Sequence, residues 1–321
     1  MQILKERLAP ELEAMNSLMR GSLNTDDPLM RTVVDQYLQT KGKQIRPILV
    51  LMSAKLFGGV NECTLHAAAS LEMLHNASLI HDDVVDNSFF RRGKPTLNRD
   101  FDNRIAVLTG DFFVSNSLAE AIRTDDLRAI SAIASLGKEL ALGEIDQISN
   151  ARECSFDEDK YMDVISKKTA SLFMNCIKLG AESADASEEL VADAVEYGRL
   201  LGLCFQIKDD IFDYFEDKEV GKPTGNDLRE NKVSLPLLYA IRTAPAAESE
   251  KMKSIIRRGD LSDEEIATLI ESAKKMGGID YAYSVMERLR RESEDILRCL
   301  PDNEWRISFA ELFDFTIMRH S

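Results

Sequence analysis

The stretch NECTLHAAASLEMLHNASLIHDDVVD, residues 61–86, indicates the fold class of this 321-residue chain. Its apolar side chains recur at spacings of three and four residues, the period of one helix face, and it contains neither glycine nor proline. The spacing predicts one continuous helix of 26 residues, about 39 Å long at about 1.5 Å per residue. A helix of this length is typical of a large bundle.

Amphipathic patterns of the same period continue along the chain. They predict helices over residues 102–122, 125–150, 157–181, 188–215 and 232–243, and shorter ones over 248–258, 262–276, 280–299 and 303–318. No alternating run is long enough for a sheet, and no linker rich in proline, glycine or serine divides the chain. The sequence therefore predicts an all-α fold, a large bundle with a central cavity, in a single domain over residues 1–321.

Charge and cysteine content narrow the function classes. The net charge of -15, from 40 basic and 55 acidic residues, argues against nucleic acid as a partner. The five cysteines are scattered without a CxxC pair, which favours a reducing compartment over a disulfide framework or a zinc site. The N-terminal residues lack the apolar core of a signal peptide, and no run of about 18 apolar residues occurs. We therefore expect a soluble cytoplasmic protein.

The end of the long helix carries an acidic motif, DDVVD. Asp82 and Asp86 are four residues apart and share one helix face, while Asp83 is rotated by about 100°. At about 4 Å and an effective dielectric of about 20, two like charges repel by up to about 4 kcal/mol. A divalent cation relieves that repulsion, and carboxylate ligands favour Mg²⁺, which also takes phosphate oxygens. For one motif alone, a solvated acidic helix end explains the pattern equally well.

A second copy of the motif favours the metal site. FQIKDDIFD, residues 205–213, repeats the DDxxD spacing 127 positions further on, with Asp209, Asp210 and Asp213. Cations follow both copies, namely Arg91, Arg92, Lys222 and Lys232. Two such faces turned toward one cavity predict a multi-metal diphosphate site.

These motifs resemble those of the all-trans isoprenyl diphosphate synthases, also called polyprenyl synthetases. The resemblance covers residues 40–240 and includes, in order, GKQIRP (42–47), LIHDDVVDNSFFRRGKPT (79–96), KKTASLF (167–173), FQIKDDIFD and GKPTGNDLRENKVSLP (221–236). It implies antiparallel helices around a deep cavity, in a homodimer.

The resemblance also implies a role for each matching residue. Three Mg²⁺ ions are implied, two on Asp82 and Asp86 and the third on Asp209, with Asp213 assisting through water; Asp83 and Asp210 complete the candidate metal-site carboxylates. The positions that match ligands of the allylic diphosphate are Arg91, Lys168, Thr169, Gln206, Lys222 and Lys232. Those that match ligands of isopentenyl diphosphate are Lys43, Arg46, His75 and Arg92, and Phe205 matches an aromatic beside the reacting alkene. The residues expected to act in catalysis are Asp82, Asp86, Asp209, Lys168, Lys222 and Arg91.

The implied reaction joins isopentenyl diphosphate to an allylic diphosphate. Metal ions and cationic side chains neutralise the departing diphosphate in a site closed to water, so no side-chain nucleophile is needed. The sequence agrees, because it contains neither GxSxG nor HExxH.

Product length is expected to depend on residues upstream of Asp82. Ala77 and Ser78 are small, whereas Leu74 and Leu71 narrow the predicted tunnel without plugging it. The tunnel floor is expected on another helix, within residues 129–137. We expect six to ten isoprene units, about eight, of the kind used for quinone tails, with transient membrane contact for product release. The alternatives are a short-chain farnesyl or geranylgeranyl diphosphate synthase, a class I terpene cyclase, and a subunit that needs a partner.

Several neighbouring residues receive simpler interpretations. His81 is expected to be a hydrogen-bonding neighbour of the motif, Lys208 to be solvated and Arg319 to belong to a polar tail. Cys176 and Cys204 are expected in the core. For Glu144 and Gln147, contact with a diphosphate and a buried structural hydrogen bond both remain open.

Overall fold

The computed structural model describes residues 1–39, 42, 44–91, 93–215 and 224–319. The all-α prediction is confirmed. The β-structure of the described ranges is one hairpin, formed by the antiparallel strands β1 (Phe90–Arg91) and β2 (Lys94–Pro95). Three predicted site residues lie outside the described ranges: Lys43, Arg92 and Lys222.

The helices are taken in chain order. They are α1 (Gln2–Arg7), α2 (Ala9–Ser22), α3 (Pro28–Leu38), α4 (Ile45–Phe57), α5 (Glu62–Val85), α6 (Leu97–Asp100), α7 (Asn103–Arg123), α8 (Leu127–Glu153), α9 (Glu158–Ile165), α10 (Ser171–Ser183), α11 (Glu188–Phe212), α12 (Asn226–Arg229), α13 (Leu235–Thr243), α14 (Ala246–Arg258), α15 (Asp263–Lys275), α16 (Gly278–Cys299) and α17 (Glu304–Met318). A π-helical segment, Ser166–Ala170, joins α9 to α10.

The long helix predicted over 61–86 is α5, with one residue trimmed from each end. Asn61 caps its N-terminus in a capping box with Thr64, and Asp86 is its C-terminal cap. The helix predicted over 157–181 is instead interrupted by the π-helical segment. A π-helix inserts one extra residue into a helical turn, and such insertions are frequent at functional sites.

The chain divides into two compact units. Unit 1 comprises Met1–Lys138, Leu172–Gly198 and Arg298–Phe309, and unit 2 comprises Glu139–Ser171, Arg199–Leu297 and Ala310–Ser321. The single domain expected over residues 1–321 stays a prediction.

In unit 1, close packing of α5 against α7 fixes the helix that carries the first acidic motif. Ser70 and Ser117 each donate a hydroxyl hydrogen bond of 2.8 Å to the other's carbonyl oxygen. His81 lies against Gly110, where an added Cβ would come within 2.2 Å of its Nε2, and the same Nε2 lies 3.2 Å from the Val107 carbonyl oxygen. The expectation that His81 is a hydrogen-bonding neighbour is confirmed.

The helix α7 is also long and apolar enough, by length and composition alone, to cross a membrane. The mostly buried core helix of a soluble protein can pass the same test, and 39% of the most apolar window of α7 is buried. Glu120 on this helix is fully buried, and its Oε2 lies 2.5 Å from His66 Nδ1 of α5.

In unit 2, a hydrophobic core packs α13 against α14 and α15 and secures the end of α11. Tyr214 belongs to this core, and its hydroxyl lies 3.0 Å from Ser234 Oγ. The other buried residues of the core are Leu228, Leu237, Ala240, Ile241, Met252, Ile256, Ile266, Leu269, Ile270 and Ala273.

Cys176 in unit 1 and Cys204 in unit 2 are both fully buried, as expected for core residues. Burial raises the pKa of both thiols.

Candidate active site

The first acidic motif closes α5. The backbone N–H of Asp86 donates to the Asp82 carbonyl at 2.8 Å, so the two residues remain one helical turn apart. Both are partly exposed. They lie at the negative end of the helix dipole, where cations are favoured over carboxylates. The carboxylate oxygens of Asp82 and Asp86 are hard donors that solvent can reach, and such donors are suitable ligands for Mg²⁺.

Asp83 has a different environment from its two neighbours. It is buried, and Arg91 reaches it through both Nε and Nη2, each 2.8 Å from Asp83 Oδ1. Burial raises the pKa of Asp83, while the guanidinium of Arg91 opposes that shift. The predicted metal-site carboxylate and the predicted diphosphate ligand bind one another in this structure, so both assignments stay predictions.

Two predicted ligands of isopentenyl diphosphate are described, and both belong to unit 1. His75 is buried on α5 and Arg46 lies in the first turn of α4, a helix that packs against α5. The predicted binding of isopentenyl diphosphate by these residues stays a prediction.

The residues expected to control product length line up along α5. Leu71 and Ala77 are fully buried and Leu74 nearly so, whereas Ser78 is half-buried and donates its hydroxyl to the His75 carbonyl at 2.9 Å. An added Cβ at Gly137 would lie 4.0 Å from Leu74 Cδ1. The residues 129–137, expected to contain the floor, therefore reach the neighbourhood of Leu74, and the tunnel itself stays a prediction.

The second acidic motif, at the end of α11 in unit 2, overturns the expectation for Arg319. Its side chain is only 6% exposed and donates to Asp209 Oδ1 and, at 3.0 Å, to the Phe205 carbonyl oxygen. Its guanidinium carbon lies 4.0 Å from the centroid of the Phe205 ring. The polar-tail interpretation is wrong, because tertiary packing gives this residue an anionic and an aromatic partner.

Lys208 corrects a second expectation. It is 3% exposed, donates to Tyr283 Oη at 2.9 Å and lies 5.2 Å from the Phe212 ring centroid. The solvated interpretation is wrong, since aromatic faces and a hydroxyl take the place of water around the ammonium group.

Asp210 is buried between protein donors. Tyr161 Oη donates to its Oδ2 at 2.6 Å, and Gln206 Nε2 donates to its Oδ1 at 2.8 Å. Burial raises the pKa of Asp210 to about 7, although these hydrogen bonds oppose the shift. Its predicted role as a metal ligand stays a prediction.

Asp213 is held by backbone amides. Its Oδ1 accepts from the N–H of Asn226 at 2.9 Å and its Oδ2 from the N–H of Asp227 at 3.0 Å. Burial and the neighbouring carboxylates Asp210 and Asp213 raise the pKa of Asp227, while Lys232 opposes the shift.

The π-helical segment presents Lys168 and Thr169. Lys168 Nζ pairs with Glu144 and donates to Gln147 Oε1 at 3.2 Å, which gives these two residues of α8 a hydrogen-bonding role. The close approach of α8 depends on Gly143, where an added Cβ would lie 3.1 Å from the Lys168 backbone nitrogen.

One pocket in unit 2, of about 200 Å³, collects much of the predicted diphosphate site. Its lining includes four residues predicted from the sequence to bind the allylic diphosphate: Lys168, Thr169, Gln206 and Lys232. Among the lining residues that sequence reasoning missed are Tyr161, Asp227 and Asn231.

A sequence signal existed for Tyr161 and Asp227, although it was weak. Tyr161 stands seven residues before Lys168, close to two helical turns, and Asp227 lies within the GNDLREN stretch. Of the other predicted ligands of this diphosphate, Arg91 belongs to unit 1 and Lys222 lies outside the described residues.

Comparison with known sequences gives the family. The sequence model of the polyprenyl synthetase family matches residues 27–273. The chain belongs to this family. Octaprenyl diphosphate synthase of Haemophilus influenzae is 32% identical over 97% of this chain and 94% of the relative. Heptaprenyl diphosphate synthase component 2 of Geobacillus stearothermophilus is 35% identical over 92% of this chain and 95% of the relative.

Solved structures give the same family. A decaprenyl diphosphate synthase from Rhodobacter capsulatus has a TM-score of 0.93 and 33% identity, covering 100% of this chain and 99% of its own. A geranylgeranyl pyrophosphate synthase from Bacteroides thetaiotaomicron has a TM-score of 0.85 and 41% identity, covering 98% of both chains. The chain is therefore a trans-prenyltransferase with the helical isoprenoid synthase fold, in a family that uses Mg²⁺ and diphosphate substrates.

Proposed function

We propose that this prenyltransferase condenses isopentenyl diphosphate with an allylic diphosphate, head to tail and in the trans configuration, to give a polyprenyl diphosphate of about eight isoprene units for quinone side chains. The observation that carries the proposal is the pocket of unit 2. Its lining combines the ammonium groups of Lys168 and Lys232 with the side-chain amide of Gln206, which are donors suited to a diphosphate, and also includes Thr169.

Three Mg²⁺ ions are part of this proposal. Asp82 and Asp86 would hold two of them and Asp209 the third, with Asp213 assisting through water. When bound, the ions supply positive charge that stabilises the departing diphosphate. The carboxylate donor set of both motifs supports this assignment.

The side chains of this protein bind and orient the substrates in the proposed reaction. The allylic C–O bond breaks and its electron pair leaves with the diphosphate, which Lys168 and Lys232 stabilise. The π electrons of isopentenyl diphosphate, oriented by Arg46 and His75, form the new C–C bond to the allylic cation beside Phe205. The released diphosphate takes the proton lost from the product. The chain therefore supplies neither a nucleophile nor a general base.

The proposed product length rests on the small residue Ala77. The relatives include octaprenyl and decaprenyl synthases, which favour a long product, and a geranylgeranyl synthase, which supports the short-chain alternative. The small side chain of Ala77 favours the longer product, because an aromatic at this position would narrow the predicted tunnel.

A homodimer, a cytoplasmic location, a single catalytic domain and transient membrane contact for product release complete the proposal. The exposed side of α7 supports the dimer, because it presents Val107, Leu108 and Ile122 to solvent with exposures of 39%, 57% and 61%. Exposed apolar side chains on a long helix suit burial against a second copy of the chain.

The testing experiment incubates the purified chain with Mg²⁺, farnesyl diphosphate and excess isopentenyl diphosphate, and reads product length by mass. A ladder ending near eight units supports the proposal, whereas a linear product of four units supports the short-chain alternative. A cyclic hydrocarbon formed without isopentenyl diphosphate would instead indicate a terpene cyclase. Asp82→Asn is the matched inactive control.

A partner-dependent subunit is a second candidate, favoured by the similarity to heptaprenyl diphosphate synthase component 2. The purified chain alone would then give no product while still binding inorganic diphosphate with Mg²⁺. Activity restored by a cell extract, and absent from the extract alone, would support this candidate.

A further inference from the structure

Four side chains of unit 2 form a continuous hydrogen-bonded chain that ends in the pocket. Tyr161 donates to Asp210, Gln206 donates to the other oxygen of Asp210, and Thr169 donates to Gln206 Oε1 at 2.6 Å. The links join three different elements, because Tyr161 belongs to α9, Asp210 and Gln206 to α11, and Thr169 to the π-helical segment. The orientation of each member therefore depends on the next.

The direction of these hydrogen bonds fixes what the pocket offers to a ligand. An amide has one donor end and one acceptor end. Because Gln206 Nε2 faces Asp210, Gln206 Oε1 faces Thr169 and uses the single hydroxyl hydrogen of Thr169. The groups of these two side chains that remain available to a ligand are the second N–H of Gln206 and the lone pairs of the Thr169 hydroxyl.

We propose that Tyr161 is a positioning residue for the allylic diphosphate, because its hydroxyl fixes Asp210 and through it the Gln206 amide and the Thr169 hydroxyl. The inference rests on the proposed function in one respect, namely that this pocket receives the allylic diphosphate. Tyr161 lines the pocket but acts on the ligand through its partners.

The burial of Asp210 makes this role of Tyr161 specific. Asp210 is 7% exposed, so loss of the Tyr161 hydroxyl leaves a nearly buried carboxylate oxygen without its donor. Without the Tyr161 hydroxyl, Gln206 is the remaining donor to the Asp210 carboxylate among the described residues. Rotation of the Gln206 amide toward Asp210 Oδ2 is then favoured. That rotation releases Thr169 from Gln206 and changes the donors that face the pocket.

The test compares Tyr161→Phe with the matched control Tyr281→Phe. Tyr281 also donates a 2.6 Å hydrogen bond to a carboxylate of α9, Glu158, but neither residue lines the pocket. The probe is the unreactive thio analogue of farnesyl diphosphate, titrated with Mg²⁺ by calorimetry. We expect Tyr161→Phe to weaken its binding about tenfold, equivalent to about 1.4 kcal/mol. KM for farnesyl diphosphate should rise in parallel, while KM for isopentenyl diphosphate and all values for Tyr281→Phe stay near those of the wild type.

A double-mutant cycle with Thr169→Val separates positioning from general stability. If Tyr161 acts through the hydrogen-bonded chain, adding Tyr161→Phe to Thr169→Val weakens binding by less than about threefold. Additive effects, or unchanged binding of the analogue by Tyr161→Phe, would overturn the inference. All titrations are run at a temperature at which circular dichroism shows every variant to be fully folded.

The same titrations distinguish this inference from the proposed function. A wild-type chain that binds the analogue but forms no polyprenyl product contradicts the proposed function, and the comparison of Tyr161→Phe with Tyr281→Phe still decides the inference. A wild-type chain that forms the product while both variants bind the analogue equally well overturns the inference alone.

Discussion

Replacing Arg319 with methionine tests whether an internal cation competes with Mg²⁺ for Asp209. Arg319 is 6% exposed and Asp209 is 42% exposed, so the pair is buried on one side only. A charged hydrogen bond contributes about 1.5–3 kcal/mol and a partly buried cation–π contact about 1 kcal/mol. Hydration of Asp209 and the lower desolvation cost of methionine offset part of this sum. We expect the free energy of unfolding to fall by about 2 kcal/mol without divalent ions.

Addition of Mg²⁺ should shrink that loss. If Asp209 binds the ion, Arg319 competes with that ion in the wild type, whereas Arg319→Met has no such competitor. We assign about 1.4 kcal/mol of the lost free energy of unfolding to the contact between Arg319 and Asp209. By linkage, Mg²⁺ should then bind Arg319→Met about tenfold more tightly than the wild type.

Urea unfolding followed by circular dichroism, with and without Mg²⁺, and calorimetric titration of Mg²⁺ measure the two quantities. Arg290→Met is the control, because Arg290 pairs with Glu287 and Glu294 on the surface and should cost less than about 1 kcal/mol under both conditions. An Arg319→Met loss that is the same with and without Mg²⁺, together with unchanged Mg²⁺ affinity, would refute the competition.

Three further predictions concern single residues. Ala77→Phe should shorten the product seen by mass, since Ala77 is fully buried on α5, and a product of unchanged length would remove the tunnel argument. Gly143→Ala should cost about 1–2 kcal/mol in urea unfolding and raise KM for the allylic diphosphate, because its methyl would crowd the Lys168 backbone nitrogen at 3.1 Å; Gly137→Ala, with its nearest contact at 4.0 Å, is the control. Burial raises the pKa of Asp210 from 3.8 to about 7, so the folded protein holds this proton more tightly. Wild-type stability relative to Asp210→Asn should therefore fall between about pH 4 and pH 7, by up to about 1.4 kcal/mol per pH unit in urea titrations; a flat difference would contradict the shift.

Local periodicity predicted the fold well because helix formation depends on near neighbours in the sequence. The apolar set of residues 61–86 predicted α5 to within one residue at each end. The DDxxD spacing similarly predicted the one-turn separation of Asp82 and Asp86.

Long-range contacts account for the errors. Arg319 contacts Asp209 across 110 positions of the sequence, and Lys208 contacts Tyr283 across 75. The burial of Arg319 and of Lys208 therefore cannot be predicted from the residues next to them in the sequence. The π-helical segment was also missed, because it covers only five residues, Ser166–Ala170, between two helical patterns that apolar spacing joined into one predicted helix.

Both acidic motifs place three carboxylates near the C-terminal end of a long helix, where the helix dipole already disfavours negative charge. Within each unit the chain relieves part of this conflict with an arginine from outside the helix, Arg91 on Asp83 and Arg319 on Asp209. A sequence selected only for stability would place basic residues at these helix ends, so a conflict kept at both ends indicates function. Arg91 holds the carboxylate that is buried, whereas Arg319 holds one that is 42% exposed. At the second motif, a cation that binds Asp209 therefore competes with a residue of the protein itself.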